Sequence, residues 1–123
     1  MAWGKGWETR RRREPGHDWA VIALAHSGHI ESVVLDTKYY LANHPQAFSL
    51  QAACLAPGTA DAMALNQSMF WPVLLEQQIL RGGTVHQVDQ GLASIGDVTH
   101  VRLNIFPDGG VTRLRMFGRV TKR

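Results

Sequence analysis

Glu8, Arg10, Arg12, His17 and Asp36 are the residues whose types and spacing could do chemistry. Four of them lie in Gly6-Trp7-Glu8-Thr9-Arg10-Arg11-Arg12-Arg13-Glu14-Pro15-Gly16-His17-Asp18-Trp19, which packs two tryptophans, four arginines, three acids and a histidine ahead of an apolar run. Carboxylates and an imidazole can act as general base or acid, so Glu8, His17 and Asp36 are the catalytic candidates. A guanidinium fork binds a carboxylate through two charge-assisted hydrogen bonds. In an extended run Arg10 and Arg12 share one face, with Arg11 and Arg13 on the other. Blander roles compete for each residue. The arginines could be solvated or paired with Glu8, Glu14 and Asp18; His17 could cap a loop; Asp36-Thr37 could close an Asx turn.

A divalent metal stays open, because His17, His44, His86, His100, Asp36 and Glu8 are suitable ligand types, although their spacing matches no short metal motif. Cys54, the one cysteine, sits in the apolar run Ala52-Ala53-Cys54-Leu55 and reads as core, not as a nucleophile. It cannot form an intrachain disulfide, and a reducing compartment fits it.

Size and charge bound the partners. A chain of 123 residues makes one domain that buries about two thirds of its extended surface. The net charge of +3, from 13 basic groups against 10 acids, argues for tolerance of anions and against a nucleic-acid specialist. No apolar stretch approaches the roughly 18–20 residues of a membrane helix, so no membrane partner is expected and the cytoplasm is the expected location.

The elements that must position these groups read as strands. Asp18 to Ala25 is apolar on both faces, His26-Ser27-Gly28-His29 reads as a turn, and Ile30 to Leu35 alternates, so the two runs are expected to be hairpin partners. Phe48 to Leu55 is a third run. Ala60 to Ser68 reads as a short helix or an insertion loop, and Pro72 makes Trp71 to Leu75 an edge strand. Thr84 to Val88 returns as a short strand. Thr99 to Phe106 and Val111 to Phe117 flank Pro107-Asp108-Gly109-Gly110 and are expected to form a second hairpin. Its core face would hold Val101, Leu103, Ile105, Leu114 and Met116; the other face would be basic, with His100, Arg102, Arg113 and Arg115. Short strands punctuated by Gly/Pro turns favour an all-β antiparallel sandwich.

These residues carry a family resemblance. The segment 6–19, the strand Ile30 to Thr37, the loop Tyr40-Leu41-Ala42-Asn43-His44-Pro45, the runs at Ser49 to Leu55 and Trp71 to Leu75, and above all Val98 to Arg115 resemble the allantoicase family in order. The resemblance implies an amidinohydrolase of purine breakdown that converts allantoate and water to ureidoglycolate and urea. It implies a galactose-binding-like jelly roll used twice in a longer chain. Residues 1–123 are expected to form one partial copy, incomplete on the N-terminal side and without the second repeat, so a second repeat or a homo-oligomer is the expected partner. Arg10, Arg12, Asn43 and Arg113 become the expected contacts to allantoate, with Glu8 the favoured base. Lys5, Ala42 and His44 depart from the family pattern. The competing reading is an inactive jelly roll kept for ligand binding or structure.

Overall fold

The computed structural model describes residues 2–3, 7–8 and 17–121, the first two pairs as backbone only. Arg10, Arg12 and the side chain of Glu8 lie outside the described residues. The strands are β1 (Ala2–Trp3), β2 (Trp7–Glu8), β3 (Asp18–Asp36), β4 (Ala47–Ala53), β5 (Val73–Ile79), β6 (Val85–Val88), β7 (Val98–Phe106), β8 (Gly110–Val111) and β9 (Arg113–Val120). One helix, α1 (Asp61–Gln67), runs into a 3-10 turn, Ser68–Phe70.

The expected turn at His26–His29 is absent, and β3 runs unbroken for 19 residues. The expected hairpin between its halves is therefore not formed. Its first half pairs with β7, from Asp18 opposite Ile105 to Ala23 opposite His100. Its second half pairs with β9, from Gly28 opposite Val120 to Asp36 opposite Arg113, and with β6 on the other side. Gly28 is not a turn residue but the point where partners change. The ladder slips there, and a bulge follows between Ile30 and Ser32, so the strand bends. A Cβ on Gly118 would overlap the His29 carbonyl and Ile30 Cα, which is why the close approach across this bulge takes glycine.

The bend turns one hydrogen-bonded sheet, in the order β1-β9-β3-β7-β4-β5, into two facing layers. Residues from both layers share one core: Phe48, Leu50, Leu103 and Ile105 from one side, and Val33, Leu35, Leu114 and Met116 from the other. The core face expected at Val101, Leu103, Ile105, Leu114 and Met116 is buried throughout. The pairing behind it is not a hairpin, because β7 bonds β3 and β4 while β9 bonds β3 and β1. Alternation fixes which face of a strand is buried, not which strand lies beside it. Between them the chain crosses from one layer to the other, and β8 pairs with β2 on the way. Arg102 and Arg113 consequently do not share the expected basic face.

The helix expected as one alternative at Ala60 to Ser68 is α1, and β5 is an edge strand, as Pro72 implied. Cys54 is exposed, contrary to the core assignment, because β4 ends at Ala53 and the chain leaves the sheet before it.

Candidate active site

The crossing segment, residues 106–113, ties the candidate residues to one end of the sandwich. Phe106 O accepts from Gln46 N at 2.8 Å, Pro107 O from Asp18 N at 3.2 Å and Asn43 O from Gly110 N at 2.7 Å, while Thr112 N donates to Asp36 O at 2.7 Å. Glu8 lies opposite Gly110, and Asp36 opposite Arg113. Gly109 makes this approach possible. Its φ of 133° disfavours other residues, and a Cβ would meet Pro45 N at 2.5 Å and His44 C at 2.6 Å. The backbones of Glu8, Asp36, Asn43 and Arg113 are thus gathered around one segment, with His17 beside it, its ring 4.6 Å from that of Phe106.

Beneath His17 the outer face of the first layer carries a polar network that sequence reasoning missed. Ser49 and Gln51 on β4 lie in register with Asn104 and Arg102 on β7. Arg102 is 4% exposed, yet its guanidinium meets no carboxylate among the described residues. It is held instead by neutral groups. Nε donates to Asn104 Oδ1 at 2.8 Å and Nη1 to Ser68 Oγ at 2.8 Å. The Trp19 ring lies over it at 4.2 Å, a cation–π contact. Burial holds the guanidinium pKa below its ordinary value. Trp19 is 44% exposed and roofs this charge.

Asn104 is the hub. Its Nδ2 donates to Gln51 Oε1 at 3.0 Å and reaches Ser49 Oγ at 3.3 Å, and its Oδ1 also lies 3.0 Å from His17 Nε2. Gln51 Nε2 in turn donates to the carbonyls of Met69 and Trp71, both at 3.0 Å. The signal in the sequence was Ser-x-Gln on one alternating run and Arg-x-Asn on another, polar positions that two adjacent strands present on one face. Arg102→Met should cost roughly 2–3 kcal/mol, because it removes the charge-assisted bonds to Asn104 Oδ1 and Ser68 Oγ, leaving Asn104 Oδ1 only His17 and Ser68 Oγ only its bond to Leu65 O, while relieving the burial of a charge. Urea denaturation reads this, and an unchanged midpoint would mean the network adds nothing net.

The other candidates take structural contacts. Asp36 Oδ1 accepts from Lys38 N at 2.7 Å, which is the Asx turn anticipated as its blander role. His86 is occupied at both nitrogens: Nε2 accepts from Arg81 N at 2.9 Å, leaving Nδ1 to donate to Leu35 O at 3.3 Å. His44 Nδ1 is buried without a hydrogen-bond partner among the described residues. Among the described residues, no group of three His, Cys, Asp or Glu side chains could hold a metal ion. Nor is any helix among them long and apolar enough to cross a membrane.

His100 borders an open pocket of about 230 Å³ lined by Val21, Ala23, Asp61, Ala64 and Leu65. Burial lowers its pKa from 6.5, and the nearby Asp61 carboxylate opposes that shift. The unfolded chain therefore binds this proton more readily than the folded one, so the contribution of His100 to stability is full above 6.5 and falls as pH drops below it. Denaturation midpoints measured between about pH 5 and 7 should decline more steeply in the parent than in His100→Gln. Parallel curves would remove His100 as the cause.

These features define a jelly-roll-like antiparallel β-sandwich with a polar network on its outer face and a loop cluster at one end. Residues 1–121 match the Allantoicase repeat family, and the chain belongs to the allantoicase family. It is 56% identical over 117 residues to Probable allantoicase 2 of Burkholderia pseudomallei, covering 95% of this chain and 34% of that one. It is 53% identical over 119 residues to Probable allantoicase of Stutzerimonas stutzeri, covering 97% and 36%. The crystal structure of allantoicase from Saccharomyces cerevisiae superposes with a TM-score of 0.74 at 34% identity, over 93% of this chain and 31% of that one. The chain spans about a third of the length of the relatives it matches.

Proposed function

We propose that this chain is one repeat of a cytoplasmic allantoicase and serves the hydrolysis of allantoate to ureidoglycolate and urea in purine catabolism. Family membership across residues 1–121 is the observation that carries this reading. Relatives about three times as long support a further expectation, that a second repeat or a second copy completes the enzyme.

The chemistry follows from the two formulas. Allantoate bears a carboxylate and two ureido groups on one carbon, and in ureidoglycolate a hydroxyl replaces one ureido group. The oxygen of water ends on that carbon, the C–N bond breaks, and one water proton ends on the nitrogen of the departing urea. One group must accept a proton and one must supply it, which a single imidazole can do in turn. His17, Glu8 and Asp36 are assigned to this proton traffic. Arg10, Arg12 and Arg113 are assigned to the substrate carboxylate, and Asn43 to the ureido groups. The part of a divalent metal in this chemistry stays open, and added metal is one arm of the test.

Urea release from allantoate by the purified chain, with and without divalent metal, tests the reading, together with Glu8→Gln and Arg12→Ala. Turnover lost in Glu8→Gln and weakened substrate affinity in Arg12→Ala are the expected results. No release from a well-folded chain would reject autonomous activity, and allantoate binding without turnover would favour the binding-module reading.

A further inference from the structure

The network also determines which nitrogen of His17 is basic. An arginine Nε–H can only donate, so the Asn104 atom that it meets must be the oxygen. Backbone carbonyls can only accept, so the Gln51 atom facing Met69 and Trp71 must be the amide nitrogen. Gln51 then presents its oxygen to Asn104, which must answer with Nδ2. The two ends of the network, fixed independently, give Asn104 the same orientation. The ambiguity that usually attends a side-chain amide is thereby removed.

His17 Nε2 lies 3.0 Å from that oriented oxygen, an acceptor already receiving a bond from Arg102. Two acceptors cannot bond each other, so Nε2 must carry a hydrogen. We infer that Asn104, itself held by Arg102 and Gln51, locks neutral His17 in the Nε2–H tautomer and makes Nδ1 the nitrogen where its proton comes and goes. Nδ1 hydrogen-bonds no other described residue. The inference rests on the allantoate-hydrolase reading only for its use. There, Nδ1 takes the proton from water as the oxygen bonds to carbon, and returns a proton to the ureido nitrogen as the C–N bond breaks. Asn104 and Arg102 are positioning residues in this scheme.

The test is long-range proton–nitrogen NMR on the full chain labelled with 15N-histidine, with His17 assigned by the peak lost in His17→Gln. In the neutral ring, Nε2 should carry the hydrogen, that hydrogen should resist exchange with solvent, and Nδ1 should show the lone-pair shift. Asn104→Asp keeps an acceptor and should keep the protected Nε2–H. Asn104→Leu removes the acceptor and should speed exchange about tenfold, the factor of an ordinary hydrogen bond. A hydrogen on Nδ1, or an Nε2–H exchanging as fast in the parent as in a free imidazole, overturns the inference, and the parent spectrum alone decides this if a variant fails to fold. An inactive chain with the Nε2–H tautomer would reject autonomous hydrolysis and leave the tautomer standing.

Discussion

Replacing His17 by glutamine is expected to slow urea release from allantoate by about 10²–10⁴-fold while leaving the fold in place. The factor is the usual contribution of a positioned acid–base group, about 3–5 kcal/mol of barrier. Glutamine is chosen because its amide can still donate to Asn104 Oδ1, so the bond now 3.0 Å long can survive. What it lacks is a basic nitrogen. Stability should therefore move by no more than about 1 kcal/mol, the net worth of one hydrogen bond. Initial rates under conditions where the parent turns over, beside a denaturation curve, separate the two effects. A rate within threefold of the parent would remove His17 from the chemistry and return the role to Glu8 or Asp36.

Phe48→Ala should be the most damaging single truncation for the fold, by about 3–5 kcal/mol. Phe48 is the largest fully buried side chain among the described residues, and it stands on β4 opposite Ile105 and Gln78. It belongs to the core that the two layers share, so neither layer can collapse into the void without disturbing the other. Domains of this size are stable by only about 5–15 kcal/mol, so the loss is a large fraction of the total. The thermal midpoint should fall by roughly 10–20 °C. Phe48→Leu, which retains most of the volume, should cost about 1.5 kcal/mol or less. A midpoint for Phe48→Ala within a few degrees of the parent would show that the two-layer core does not depend on this ring.

Much of the fold was legible because it follows from side-chain alternation. The buried faces at Leu103 and Leu114, the edge position forced by Pro72 and the strand at Phe48 are local consequences of residue type. Pairing was not. Gly28 between two apolar runs has the composition of a hairpin turn, and only the close approach of β9 on one side and β7 on the other makes it a bend inside one strand. The same limit misled the reading of Pro107 to Gly110, where a layer crossing and a hairpin share one turn chemistry.

The site was legible in part for a related reason. His17, Asn43, Asp36 and Arg113 are far apart in sequence but are collected by bonds to or beside the 106–113 segment. Arg102 was read as one member of an exposed basic face because a charge on an alternating strand normally faces water. Its burial needs Trp19, Ser68 and Asn104, residues drawn from three separate stretches of chain.

The long strand β3 has a bearing on how the domain comes apart. In many sandwiches each layer owns its strands, and one layer can open while the other persists. Here a single backbone is hydrogen-bonded into both, with residues 18–23 in one layer and 28–36 in the other. Pulling either half free withdraws a strand that the other half needs for its own alignment. Amides near Ile22 and near Val33 should therefore report one shared opening free energy in hydrogen exchange, making the two layers a single cooperative unit.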